Sequence, residues 1–208
     1  MGNLTRRQKQ HRELHRKILA AAEELFARHG PEQVSMRRIA ARIEYSPTTI
    51  YRFFRNREDL LGQVIRDGYD RLYRIYDEIT SRKRISPLSA LKEIITAYIR
   101  FGLENPNHYE LWFRTSRIKV KGNDLHMVHG RNTYRVYRVW LEWIAACQQE
   151  GSIDHPDPLF VFQTAWSFVH GQISLRIHHT LFPWIPAEQA VDLLFEKLIS
   201  GEKPKEES

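Results

Sequence analysis

Thr48, Thr49, Tyr51 and Arg52 crowd into one short stretch that opens with Ser46-Pro47. Hydroxyls and a guanidinium with little acid beside them are groups that hydrogen-bond phosphate oxygens and base edges. They are not the parts of a catalyst. The chain has no G-x-S-x-G nucleophile elbow, no P-loop and no H-E-x-x-H, so nothing in it argues for an enzyme. Ten histidines raise the question of a metal. His126 and His129 are three apart and His178 and His179 are adjacent, but neither pair has a cysteine or carboxylate at ligand spacing. They read as solvated or core histidines, and no metal or cofactor is expected.

The elements that must position these groups are two short apolar-periodic segments, 36–43 and 47–54, with a break at Glu44-Tyr45-Ser46. Ile39, Ala40 and Ile43 share one helical face, and Ile50, Phe53 and Phe54 share one face of the next segment. Ser35 and Ser46 stand at N-cap positions, and Pro47 follows in the first turn, where a missing N–H costs nothing. Two short helices joined by a tight turn predict a helix-turn-helix whose second helix enters the DNA major groove. A preceding helix is predicted from about Leu14, with Ile18, Ala22, Leu25 and Phe26 on its inner face and Gly30-Pro31 as its stop. Residues 1–10 are expected to form a mobile arm. Arg6, Arg7, Lys9 and Arg12 leave two readings open, a solvated helix start or an arm along phosphates.

Charge agrees with that placement. Residues 1–60 hold 13 Lys+Arg against 7 Asp+Glu, a net of +6, while residues 61–208 hold 19 against 18. A local positive surface binds a phosphate backbone through counterion release. Cys147 is the single cysteine, which fits a reducing compartment. No signal peptide and no apolar run of roughly 20 residues is read, so a cytoplasmic protein without membrane contact is expected.

After Asn56, which suits an N-cap, Leu61, Ile65, Gly68, Leu72, Ile75, Tyr76 and Ile79 line one face of a long helix. The domain boundary is therefore placed inside a helix, with a DNA-binding domain over 1–60 and a second helical domain over 61–208. Proline punctuation divides the rest into further helices, and no period-two pattern competes. The predicted fold is all-α, with about nine helices.

The helix from Pro158 is apolar on two faces, one with Phe162, Trp166 and Ile173 and the other with Thr164, Phe168, Gly171 and Leu175. The last helix carries Val191, Leu194, Phe195 and Leu198. Two-sided apolarity means burial on both sides, either as a central core helix or in an isologous four-helix dimer interface, the reading favoured here. All five tryptophans lie in this second part. Core packing accounts for most of its rings, but Tyr98, Phe101, Trp112, Phe113, Trp140, Trp143, Phe162, Trp166 and His170 are also candidates to line a small-molecule pocket. Arg114, Arg117 and His170 leave room for a ligand carboxylate.

V-S-M-R-R-I-A, S-P-T-T-I-Y-R-F-F and N-R-E-D-L-L, within about Ile18–Leu61, resemble the TetR family of bacterial transcriptional regulators. The resemblance implies a homodimer that binds a palindromic operator, usually as a repressor, and lets go when a small, mainly hydrophobic ligand binds the C-terminal domain. An activator or a ligand-independent repressor of the same fold remains open, as does an all-α small-molecule enzyme. By matching position, Tyr51 and Arg57 are implied to contact phosphates. Thr48, Thr49, Arg52 and Arg37 are implied to face the groove, beside the Ser46-Pro47 start. Trp166…His170-Gly171 is similar to the Trp-His-Gly signature of one subgroup, which implies structural or pocket-lining roles for His170 and Gly171. Two residues depart from the family pattern. Glu44 stands where the turn usually has Gly, and Phe53 stands where His is common.

Overall fold

The computed structural model describes residues 5–115 and 124–196, apart from the side chains of Arg114, residues 124–130 and Thr133. Among these residues there are nine α-helices and no strand. They are α1 (Arg6–His29), α2 (Met36–Arg42), α3 (Pro47–Tyr51), α4 (Arg57–Thr80), α5 (Pro87–Glu104), α6 (Pro106–Thr115), α7 (Asp124–Glu150), α8 (Pro158–His178) and α9 (Ala187–Leu194), with a 3₁₀ turn at Pro31–Gln33. The all-α expectation holds. By backbone proximity the chain divides into two compact units, 1–70 with 107–132, and 71–106 with 133–208.

Helix boundaries follow from capping chemistry. Thr5, Ser35, Ser46, Ser86 and Asp157 each accept a backbone N–H of the first turn, and Asn56 accepts from Asp59 N at 2.7 Å. Pro47, Pro87 and Pro158 open their helices, where no donor is lost. One expectation is corrected. Residues 6–10 are not an arm, because α1 begins at Arg6, where Thr5 and Gln8 form a reciprocal capping box. Of the basic residues in question, Arg6, Arg7, Lys9 and Arg12 are all exposed helical positions.

In the first unit Ile18 and Phe26 of α1, Ile39 of α2, Ile50 of α3 and Leu60 and Ile65 of α4 are completely buried. One ion pair and one hydrogen bond tie the shell: Arg42 meets Glu24 at 3.0 Å, and the Arg38 guanidinium lies 2.8 Å from the His29 ring nitrogen. Gly68 of α4 is set against His108 of α6, where a Cβ would come within 2.5 Å of the imidazole. In the second unit α5 packs on both α8 and α9. Gly102 permits the close approach to α8, since a Cβ there would meet Ile173 at 2.8 Å. Leu91, Ile94, Ile95, Trp140, Ile144, Val169 and Ile173 fill this core.

The turn between α2 and α3 is a Schellman motif. Tyr45 N–H reaches Ala40 O at 3.0 Å and Glu44 N–H reaches Ala41 O at 3.2 Å. It requires a left-handed residue, and Glu44 takes that position with φ 59°. An L side chain there costs about 1 kcal/mol relative to glycine. Glu44→Gly is therefore expected to stabilise the protein by about 1 kcal/mol, a rise in Tm of about 2–4 °C for a chain of this size, read by thermal unfolding. An unchanged Tm would mean that the carboxylate offsets its own backbone strain.

Candidate nucleic-acid interface and aromatic cluster

The helix-turn-helix is assembled from α2 and α3. Ser46 Oγ accepts from Thr49 N at 3.3 Å and lies 3.0 Å from the Thr49 hydroxyl, so Thr49 serves the cap as well as the surface. Ile50 points into the core at 0% exposure while Tyr51, on the next position, is 53% exposed. Arg37, Ser46, Thr48 and Arg52 are exposed, and Pro47 and Thr49 are half-buried. The helix-turn-helix thus exposes hydroxyls and two guanidiniums, those of Arg37 on α2 and Arg52 after α3. Arg57 is engaged: its guanidinium bonds Glu58 at 2.8 Å and donates to Glu32 O at 3.2 Å. It ties the start of α4 to the turn after α1, a structural role beside the one implied by position.

Phe53 reaches back to α1. Its ring lies 4.5 Å from that of His11, and His15 packs 5.2 Å from Phe54. Burial and the neighbouring His11 lower the pKa of His15, while Asp67 acts against them. These contacts are not read in the sequence, although Thr5-x-x-Gln8 is a start signal that would have brought His11 onto the helix.

The candidate ligand residues separate. Tyr98 of α5, Trp140 of α7 and Phe162, Trp166 and His170 of α8 form one cluster. Positions 162, 166 and 170 recur every four residues and share a helical face. His170 meets Trp166 edge-on at 4.3 Å and Tyr98 at 5.6 Å. Trp140 is fully buried and donates its indole N–H to the Tyr76 hydroxyl at 3.3 Å. Trp112 instead belongs to the first unit, stacked on Tyr69 at 4.0 Å. Phe113 is 43% exposed beside Tyr109, and Trp143 is half-buried. Phe101 lines a separate cavity of about 570 Å³ among α4, α5 and α9. Its rim is charged, with Arg82 paired to Glu93, Lys92 to Asp192 and Arg100 to Glu188. The side chain of Arg114, and Arg117, lie outside the described residues.

The candidate interface residues also divide. Val191, Leu194 and Phe195 are each 1% exposed, covered by the chain itself. Their apolarity is accounted for without a partner. Thr164, Phe168 and Gly171 are half-buried and Leu175 is 47% exposed. A Cβ at Gly171 would meet nothing within 4 Å. Leu193 and the rigid turn at Leu181, Phe182 and Ile185 add exposed apolar surface. Arg176 holds that turn by donating to Ile185 O at 2.7 Å and lying over Trp184. Leu198 lies outside the described residues, as do the side chains of His126 and His129. Among the described residues no group of three metal-ligating side chains comes together, and no helix is long and apolar enough to cross a membrane.

A regulator-type helix-turn-helix followed by a helical bundle is the class these features define. The profile of bacterial regulatory proteins of the tetR family matches residues 18–64, and that of the tetracyclin repressor-like C-terminal domain matches residues 91–201, more than half of the chain. The chain belongs to the TetR family. An uncharacterized HTH-type transcriptional regulator of Mycobacterium tuberculosis is 32% identical over 111 residues, 51% of this chain and 52% of that protein. The chain thus spans about half the length of the curated relatives it matches. A TetR family transcription regulator from Marinobacter aquaeolei superposes with a TM-score of 0.70 at 19% identity, covering 86% of this chain and 92% of that one. The regulator FadR from Bacillus subtilis, solved with stearoyl-CoA, gives 0.72 at 16%, covering 91% and 100%. At these identities the likeness is one of fold.

Burial in the aromatic cluster pushes the His170 pKa from its ordinary 6.5 down to about 4. Between those values the unfolded chain holds a proton that the folded ring refuses, so stability falls as pH drops from 6.5 towards 4. His170→Gln should lose less stability than the parent over that window in denaturant titrations at stepped pH. Equal acid losses in both proteins would assign the effect to other groups.

Proposed function

We propose that this protein is a homodimeric DNA-binding repressor that leaves a palindromic operator when a small, mainly hydrophobic ligand binds its C-terminal part. On this reading residues 1–60 bind DNA and residues 61–208 bind ligand and partner. The observation that carries it is the polar face of the helix-turn-helix, where Arg37, Thr48, Tyr51 and Arg52 stand exposed over a fully buried Ile50. Its hydroxyl and guanidinium groups match phosphate and base-edge chemistry.

The dimer is supported by the second face of α8. Phe168, Gly171 and Leu175 leave apolar surface that the chain does not fully cover. Two half-sites about one DNA turn apart require a two-fold protein. A hydrophobic ligand is supported by the ring cluster, where Trp166 and His170 are only partly buried and would part to admit it. His170 is neutral at pH 7, so it would offer a hydrogen bond and not a charge. The Bacillus subtilis neighbour was solved with stearoyl-CoA, which makes long-chain acyl thioesters a first class to try. The coupling element is α4, whose residues belong to both units. A ligand shifts the equilibrium only if it prefers one arrangement of that element.

The test is a mobility-shift assay on duplexes that the purified protein selects from a random pool. Tyr51→Phe should weaken binding to every sequence. Thr49→Ala or Arg52→Ala should change preference at one base pair by about 1–3 kcal/mol. Absence of salt-sensitive, sequence-selective binding would sink the DNA reading, and uniform effects of all three variants would overturn the division of roles. Acyl thioesters and apolar aromatic compounds at 100 times Kd should raise stability by about 2.7 kcal/mol and release the duplex. Binders that stabilise without release would refute the inducer role.

A further inference from the structure

The helix-turn-helix does not use all of the positive surface in the first unit. The first turns of α1 hold Arg6, Arg7, Lys9, Arg12, Arg16 and Lys17 against the single acid Glu13. Because the Thr5–Gln8 capping box starts the helix at Arg6, these residues occupy defined positions round a helix. Arg7, Gln10, His11, Leu14 and Lys17 fall on one face, at spacings of three and four. That face and the recognition helix enclose a groove of about 570 Å³, whose other wall is Tyr45, Thr49, Arg52 and Phe53. The His11–Phe53 ring contact at 4.5 Å closes its floor. Phe53, standing where the family pattern has a polar histidine, is here an apolar post on which α1 rests.

The groove is cationic on both sides. Arg7 and Lys17 stand on one wall and Arg52 on the other. Neither Arg7 nor Arg52 makes an ion pair among the described residues, and Lys17 has only a loose exposed contact with Glu13 at 3.7 Å. Cations held on two rigid walls and continuous with Thr49 and Arg52 of the recognition helix suit an extended polyanion better than a compact ligand. We propose that this groove is a second phosphate-binding track, in which Arg7 and Lys17 of α1 hold the DNA backbone next to the segment read by α3. It rests on the DNA-binding reading above and adds contacts that the helix-turn-helix does not contain. Glu13 limits the track by facing the same groove, so Lys17 contributes by exchanging its carboxylate partner for a phosphate. Such contacts carry no sequence information but fix register and add to affinity.

Salt dependence isolates these contacts. Each neutralised phosphate adds about 0.9 to the slope of log K against log salt. Binding of the full chain to a duplex that it selects from the random pool is measured by fluorescence anisotropy between about 50 and 200 mM KCl. The double variant Arg7→Gln/Lys17→Gln should lower the slope by about 1.8 per bound subunit. Arg7→Lys/Lys17→Arg should keep the parental slope. Arg28→Gln, at the other end of α1, removes a charge outside the groove and should also keep it. Glutamine is a good helix former, and circular dichroism checks that α1 survives. If the parent binds but the double variant keeps its slope, the track does not exist. A reduction as large per charge in Arg28→Gln would mean that net charge alone is being read, and would also overturn it. If the parent itself shows no salt-dependent binding, the DNA reading fails as a whole, an outcome distinct from the other two.

Discussion

A helix of five residues cannot hold itself together in water. Fixing the first turn costs more than its few hydrogen bonds return, and isolated helices shorter than about 12–15 residues are marginal. α3 spans only Pro47–Tyr51, so its direction is imposed from outside. The imposing contact is the burial of Ile50 at 0% and Phe54 at 3% exposure, with Ser46 closing the N-terminus. Everything proposed for the polar face inherits its geometry from that anchoring. An exposed Tyr51 next to a buried Ile50 is what a helix looks like when one side chain is anchored and the neighbouring ones are presented.

The same constraint explains why the surrounding contacts are numerous and individually weak. α2 is held to α1 by exposed pairs, Arg42–Glu24 and Arg38–His29, each worth little on a solvated surface. Arg57 fastens the start of α4 through Glu58 and the Glu32 carbonyl. These links restrict rotation of small helices over a common apolar core and need not be strong to do so. The Schellman turn at Glu44 does the same for the angle between α2 and α3 at a backbone cost.

How much of this is legible in the sequence depends on where the determining information lies. Caps and breakers are local, so Ser35, Ser46-Pro47 and Asn56 mark their helices correctly, and Glu44 stands out as a residue in a glycine position. The start of α1 is misplaced for a reason that is also local. Apolar periodicity begins only at Leu14, yet the helix is begun eight residues earlier by Thr5 and Gln8, so a polar cap outweighs the absence of an apolar face. The site in the second unit is less legible because an aromatic residue carries the same signature whether it packs in a core or lines a pocket. Tyr98, Trp140, Phe162, Trp166 and His170 converge, while Trp112 stacks on Tyr69 in the first unit. No periodicity within one helix distinguishes these outcomes, since each depends on which other helix arrives opposite.

The apolar faces of α8 and α9 show the same limit from another side. Both helices carry more apolar residues than one stripe requires, yet the chain deals with them differently. On α9 the surplus is internal, and Val191, Leu194 and Phe195 vanish into the unit that contains α5. On α8 the first face, with Val161, Phe162, Val169 and Ile173, is buried, and the second, with Phe168, Gly171 and Leu175, is left partly open. Gly102 lets α5 approach Ile173 of α8 closely, so the buried face of α8 is the one that α5 covers, and burial of the other face would have to come from a different element.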